Sequence, residues 1–451
     1  MDSYRSLADE IARDIADGRL KPGDRLPPQR DYAYERGIAP STAGRVYKEL
    51  VRRGLVVGEV GRGSFVRAVP GQPVGAAAVA TVEATATGLI NLEASIPMID
   101  GQDALMAEVL AGLARPEALA AVQALPRPGG TQATREAASA FLTRDDWRPA
   151  PETILLAASG RRSIAGALAA LAAPGEKVAV EALTYSMIKG LAARLGIILV
   201  PVALDPHGLR PDALAQVHRE VGGVKAVYVQ PSVHNPLSLT MPTSRRRDLA
   251  ETLQRLDIVA IEDAVYGFLV PDLPPLAALA PDHVIHVDSL SKRVVPWFSL
   301  GLTVVPPRLR PAVAAALHTG GWTPTGLGLE LGMVLMRDGI AASVSGRKLA
   351  DVAARQALVG EQLAGLTVRT DPRSYHCWLE LPPPWRAETF AAAAARRGIA
   401  VTPGAAFAVG PAHSPNAVRI ALGIPPLPVL AEALATLRAI ALGGPEGFAI
   451  D

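Results

Sequence analysis

Between Thr153 and Ser289 the sequence repeats one unit, a short apolar run followed in most cases by a stretch of helical period. The runs are Ile154-Leu155-Leu156, Val178-Ala179-Val180, Ile197 to Val202, Ala226 to Val229, Ile258 to Ile261, and Val284 to Val287, broken only by His286. Strands apolar on both sides have no face to offer to water. The pattern therefore predicts a parallel or mixed sheet covered by helices on both faces. Ligands in such sheets gather at the carboxyl ends of the strands, so the residues just past each run are where chemistry is expected.

Those residues are suited to a phosphorylated, carbonyl-bearing ligand. Past the last run stands Asp288-Ser289-Leu290-Ser291-Lys292-Arg293. A lysine there, partly desolvated, has a lowered pKa and a nucleophilic amine for a Schiff base, and the two serines offer hydrogen bonds to a phosphate. Pyridoxal phosphate (PLP) needs both. Ser159-Gly160-Arg161 precedes a helix predicted from Ser163 to Ala173, where free N–H groups favour an anion. Tyr185 either stacks on a planar cofactor or lies on the surface. His234-Asn235-Pro236 marks a turn and carries an amide. Glu262-Asp263 and Tyr266 follow the run at Ile258, and a carboxylate among apolar residues needs a partner such as a protonated pyridine nitrogen.

The totals bound the rest. A chain of 451 residues predicts two or three domains. The single cysteine, Cys377, excludes an intrachain disulfide and suits the cytoplasm. The charged N-terminus is no signal peptide, and the longest apolar helical run, Ile164 to Ala173, is too short to span a bilayer. No membrane role and no metal site are expected. Formal net charge is +2 overall, yet from Arg36 to Arg67 seven Lys/Arg face only Glu49 and Glu59, a net of +5. That local basicity points to a polyanion partner for this segment.

The same segment has its own architecture. Leu7, Ile11 and Ile15 recur at helical spacing; Leu26 to Glu35 predicts a second short helix. Ser41 and Thr42 are N-cap candidates for a third helix running to about Arg53. Leu55 to Val57 and Ser64 to Val66 flank a glycine-rich tip, a hairpin. Three helices and a hairpin predict a winged helix-turn-helix, the third helix entering the major groove and the wing lying along the backbone. The pieces Gly18-x-Leu20-x-Pro22-Gly23-x-x-Leu26-Pro27, Arg30, Ser41-Thr42, Tyr47, Leu50, Gly54-Leu55 and Gly63-Ser64-Phe65-Val66 resemble the GntR-type regulators. The resemblance implies that Arg30, Ser41, Thr42, Arg45 and Gly63 contact double-stranded DNA. Pro40 departs from the polar or basic residue of many relatives.

Residues 69–88, with Pro70, Gly71, Pro73 and Gly75, predict a linker, part of which has strand propensity at Val79, Thr81 and Val82. This divides the chain into a head, 1–68, the linker, and a body, 89–451, with a small subdomain from about 340. In the body, Ser159-Gly160, Tyr185, Asn235-Pro236, Asp263 with Tyr266, and Ser289-x-Ser291-Lys292 stand in an order that resembles the fold-type I aminotransferases. Gly130 with Arg135-Glu136, Val401-x-Pro403-Gly404-x-x-Phe407, and Arg419 extend the match. The resemblance implies that Lys292 forms the Schiff base with PLP, Asp263 pairs with its pyridine nitrogen, and Asn235 and Tyr266 bond its ring oxygen. Tyr185 would stack on the ring. Ser159, Gly160, Arg161, Ser289 and Ser291 would hold the phosphate, and Arg419 would take a substrate carboxylate. Four positions depart from the pattern: Ser299 where an arginine usually reaches the phosphate, Leu125 where a tyrosine is usual, and Leu237-Ser238 in place of Thr-Gly. Arg293 is the candidate to replace the missing arginine.

Head and body in this order resemble the MocR regulators. That implies a multidomain α/β chain: a winged-helix head on an aminotransferase-like body with a large mixed-sheet domain and a small C-terminal domain. It implies a cytoplasmic homodimer that binds an operator and senses an amino compound or PLP. The competing expectation is an active aminotransferase of the aminoadipate or aromatic kind with an appended head.

Overall fold

The computed structural model describes residues 4–16, 19–20, 24–53, 55–59, 63–66, 88–116, 122, 127–144, 147–410 and 415–444. The N-terminal part holds helices α1 (Tyr4–Ala16), α2 (Gln29–Glu35) and α3 (Pro40–Arg52), then strands β1 (Val56–Glu59) and β2 (Gly63–Val66). The strands pair antiparallel with Glu59 opposite Gly63. Leu7, Ile11 and Ile15 do bury together, against Val46, Leu50 and Val66. The Tyr47 hydroxyl donates to the Pro27 carbonyl at 2.6 Å and fixes the chain entering α2. Two boundaries differ from expectation. α2 starts at Gln29, because Pro27 and Pro28 hold the chain extended before it. α3 is capped by Ala39, which offers no side-chain bond, with Pro40 in its first turn; Ser41 and Thr42 lie inside the helix rather than at its cap. The hairpin tip at Gly61-Arg62 and the linker strand propensity lie outside the described residues.

In the body, β3 (Ile90–Asn91) comes first, followed by a seven-stranded sheet in the order β4-β12-β11-β10-β9-β5-β6. Its strands are β4 (Ile154–Ala157), β5 (Lys177–Glu181), β6 (Ile198–Val202), β9 (Ala226–Val229), β10 (Val259–Asp263), β11 (Val284–Ser289) and β12 (Gly301–Val304). A small hairpin, β7 (Leu204–Asp205) with β8 (Gly208–Leu209), follows β6. β12 runs antiparallel to both β11 and β4, so the sheet is mixed. Ile164, Leu168, Val313 and Leu317 pack on one face, Leu214, Leu249, Leu253 and Leu276 on the other. This double cover explains why the strands read as unbroken apolar runs.

The C-terminal part has a four-stranded sheet, β13 (Thr367–Arg369), β14 (His376–Glu380), β17 (Ala417–Ala421) and β16 (Thr402–Pro403), antiparallel throughout. Trp385, Phe390, Ile420, Leu434 and Leu437 form its core with the helices Ala387–Arg396 and Leu427–Gly443. β15 (Ile399–Ala400) pairs parallel with β3, so the first described body segment is stitched into this part. Among the described residues no helix is long and apolar enough to cross a membrane, and no group of metal-binding side chains is present.

Candidate functional site

Strand ends place the chemistry. β10 runs two residues past the apolar pattern, so Asp263 is its last residue, and β11 likewise takes in Asp288 and Ser289. Lys292 sits in the short helix Leu290–Arg293 that follows at once. Its Nζ donates to the Ser95 carbonyl at 2.5 Å and stands 5.9 Å from the Tyr266 ring centroid. Burial, then the positive charges of Arg419 and Arg161, lower this amine to about 7, with Asp263 pulling the other way. Such an amine is largely unprotonated just above neutrality and therefore nucleophilic.

Asp263 is buried, and its Oδ2 accepts from the Tyr228 hydroxyl at 2.5 Å and the Gln230 amide at 3.0 Å. Burial still raises its pKa above the ordinary range. A carboxylate in this position gains from a cationic N–H partner. The Tyr266 hydroxyl donates to Ser95 at 2.8 Å (Oγ) and 3.1 Å (carbonyl), and burial pushes it up to about 12. Tyr185 immediately precedes the helix Ser186–Leu195, and Arg161 hydrogen-bonds to it.

An anion cradle faces these groups. The helix Gly160–Leu171 starts three residues earlier than the periodicity predicts, so Gly160 and Arg161 form its first turn and Ser159 caps it, accepting from the Arg162 N–H. The Ser289 hydroxyl lies 2.9 Å from that of Ser291 and 3.2 Å from that of Ser299. A Cβ on Gly160 would stand 3.0 Å from the Ser289 Cβ, so glycine is what lets the helix end meet the serines. Free N–H groups and clustered hydroxyls together favour a phosphate. Arg293, expected to supply the missing positive charge, does not join them. Its guanidinium is turned to the buried Asp288, at 2.5 Å, and sits 4.8 Å from the Phe141 ring and 5.3 Å from that of Phe268. A buried carboxylate is costly without a partner, and that demand outranks nearness to Lys292 in sequence. Arg293 and Arg144 hold Asp288 below the usual carboxylate range despite its burial.

Arg419, on β17, is buried, which lowers its pKa. It donates to the Asn235 amide oxygen at 3.0 Å, to the Thr402 hydroxyl at 3.3 Å and to the Glu93 carbonyl, with Phe407 4.9 Å away; its Nε has no hydrogen-bond partner. These bonds engage no carboxylate, so Arg419 is no surface salt bridge and its fork remains matched to an incoming one. An amide oxygen committed to arginine leaves the Asn235 nitrogen as a donor for the other side. The structure thus brings Lys292, Asp263, Tyr266, Tyr185, Asn235, Arg161, Arg419 and the serine cradle to one edge. Sequence reasoning missed Ser95, Tyr228 and Gln230. The last two lie on and just past β9, where its carboxyl end could have signalled them; Ser95 is brought in from far along the chain and carries no local signal. Leu125 lies outside the described residues. A buried acid, a neutral amine and an anion cradle on one sheet edge fit PLP.

In the head, Arg30 and Arg45 stand on the exposed sides of α2 and α3, Ser41 is exposed and Thr42 half-buried. The basic count is smaller than it reads, because Arg36 forks onto Glu10 at 2.9 and 3.2 Å, and Arg53 pairs with Glu49 at 2.8 Å and with Asp9. Gly63 has φ of 118°, a conformation suited to glycine, and a Cβ there would lie 2.9 Å from Arg25 Nε.

Residues 87–434 match the aminotransferase class I and II family, and residues 3–66 match the bacterial regulatory proteins of the gntR family. An uncharacterized HTH-type transcriptional regulator, YdeF of Bacillus subtilis, is 29% identical over 96% of this chain and 93% of its own. The HTH-type pyridoxine biosynthesis transcriptional regulator PdxR of Corynebacterium glutamicum is 27% identical over 66% of this chain and 65% of its own. Among solved structures, an archaeal alanine:glyoxylate aminotransferase superposes with a TM-score of 0.72 at 24% identity, covering 82% of this chain and 96% of that one. LysN, an α-aminoadipate aminotransferase from Thermus thermophilus, gives 0.71 at 22% identity with the same coverage. Both show the fold.

Proposed function

The chain belongs to the aminotransferase class I and II family, and from that premise we propose that it is a DNA-binding transcriptional regulator whose body holds PLP at Lys292 and reports an amino compound to the head. One observation carries the reading. A gntR-type head shares one chain with a body in which Lys292, Asp263 and Arg419 converge. An enzyme has no need of the head, and a plain repressor has no need of a nucleophilic lysine.

PLP is the cofactor of this family; when bound it supplies a reactive carbonyl and an electron-withdrawing ring. The residues divide the work of holding it. Lys292 would offer its amine, lowered to about 7. Asp263, oriented by Tyr228 and Gln230, would keep a ring nitrogen protonated. Asn235 and, on turning from Ser95, Tyr266 would donate to the ring oxygen, and Tyr185 would lie against the ring. The N-terminus of helix Gly160–Leu171, with Ser159, Arg161, Ser289 and Ser291, takes the phosphate. Arg419 takes the effector's carboxylate as a fork. We assign base contacts to Arg30, Ser41, Thr42 and Arg45 and a backbone approach to Gly63. Two chains together would present two heads to a two-part operator, and a change in the bodies would alter their spacing.

The aminotransferase reading is favoured by the completeness of Lys292, Asp263 and Arg419. Against it stands the cradle, where Ser299 contributes a hydroxyl and no charge. A loosely clamped cofactor suits binding better than repeated turnover, since small misplacements cost about a hundredfold in rate. The test is a panel of amino donors with 2-oxoglutarate, run beside a DNA titration on the same preparation. A regulator gives amine-dependent DNA affinity with slow transfer or none. Turnover of about one per second or faster with no effect on DNA favours the enzyme.

A further inference from the structure

We propose that Lys348 is a positioning residue for Lys292: its side-chain amine, delivered by the long helix Ile340–Gln362, clamps the turn that carries Lys292 and so fixes where that amine stands. The proposal rests on Lys292 being the cofactor's attachment point.

Lys348 is fully buried, in a helix that places Ala341 in the same core cluster as Leu290 and Val294, and Val352 in that of Tyr375. Its Nζ donates to the Lys292 carbonyl at 2.9 Å and to the Val294 carbonyl at 2.7 Å. These carbonyls terminate the helix Leu290–Arg293, which has four residues and cannot satisfy its own final acceptors. A cation at a helix C-terminus is the favourable charge there. The clamp is anchored at its far side too. The Tyr375 hydroxyl donates to the Lys348 carbonyl at 2.8 Å and to Asp351 at 2.7 Å, and Arg355 donates to the carbonyls of Leu422 at 2.5 Å and Pro425 at 2.8 Å. One helix thereby joins the C-terminal sheet to the Lys292 turn.

Lys348 also senses the site. Burial, then repulsion from Lys292, lower it to about 7, with Asp351 opposing. The Lys292 amine itself is lowered by burial and by Arg419 and Arg161, so Lys348 acts on it through the burial that the clamped turn maintains. The other groups facing the pair are Arg355 and Tyr375 around Asp351, and Arg419, Arg161 and Asp263 around Lys292. Removing Lys348 leaves the Lys292 and Val294 carbonyls without their donor and frees the turn to shift toward water, which relieves the burial that lowers Lys292 and raises its pKa.

The experiment uses the full chain and no catalytic assay. PLP attachment at Lys292 is followed by absorbance and by borohydride trapping across the neutral pH range, for the parent, Lys348→Met, Lys348→Gln and Lys348→Arg. The parent should attach with a midpoint near the Lys292 value of about 7. Lys348→Met should move the midpoint up by about one unit and weaken attachment about tenfold. Lys348→Gln keeps a shorter donor, so it should move midpoint and affinity less than Lys348→Met. Lys348→Arg, which keeps donors of similar reach, should restore the parent profile. Should Lys348→Met fail to fold, the glutamine and arginine variants carry the test. Parent-like midpoints in the methionine and glutamine variants overturn the proposal, as does an arginine variant no better than those two. A parent that never attaches PLP at Lys292 removes the functional reading itself, a separate outcome.

Discussion

The amine of Lys292 stands where burial and two guanidinium groups act in the same direction, against one carboxylate. The sign of its pH dependence follows. Below about 7 the amine is protonated and unreactive, so PLP attachment should rise as pH climbs through that value and level off above it. An ordinary lysine would still be gaining at pH about 10. Borohydride-fixed label on Lys292 against pH checks this, with Lys292→Ala as the blank. A second residue prediction concerns Ser299. Its hydroxyl lies 3.2 Å from that of Ser289, at the cradle, so Ser299→Arg should tighten PLP binding about tenfold, measured by equilibrium titration. No change would mean that the phosphate lies elsewhere. Much of this site was legible in the sequence because strand ends are legible. An acid at the end of β10 and a lysine just past β11 follow from counting apolar residues. The direction of Arg293 was not. It depends on Asp288 being buried with an unmet charge, which only the packed structure reveals.

At the scale of elements, the head separates arginines that fold it from arginines free to read DNA. Arg36 and Arg53 tie α2 and α3 to α1, through Glu10 and Asp9, and Arg53 also pairs with Glu49 on α3 itself. Arg30→Ala and Arg45→Ala should each cost roughly 1–3 kcal/mol of specific DNA binding and leave the melting temperature nearly unchanged. Arg53→Ala should instead lower the melting temperature by a small amount, as loss of partly exposed pairs does. Electrophoretic or anisotropy titrations beside thermal melts distinguish the two classes. Equal affinity in the Arg30 and Arg45 variants would overturn the groove assignment. Charge counting could not make this distinction, since +5 leaves out Glu10 and Asp9 of α1, which take up Arg36 and Arg53. The helices and hairpin were legible from spacing. Their first turns were less so: a proline can open a helix with no polar cap, as Pro40 does, and the start at Ala39 left no side-chain signal.

At the scale of the molecule, the body's first segment bears on ligand recognition. β3 is fixed to β15, and a few residues later the carbonyls of Glu93 and Ser95 accept from Arg419 and Lys292. A carboxylate that takes Arg419 competes with Glu93, and a carbonyl compound that takes Lys292 competes with Ser95. Both ligands would therefore act on the stretch that follows residues 69–88, and either could shift the chain only through such a differential contact. The most direct test is the affinity of the full chain for a footprinted site upstream of its own gene, at fixed salt. It is measured with PLP across a panel of carboxylated amines, beside Lys292→Ala. At least one amine should change the parent's Kd about fivefold or more and leave Lys292→Ala unmoved. A panel in which no amine alters DNA affinity, while the same preparation transfers amino groups at about one per second or faster, would contradict the account.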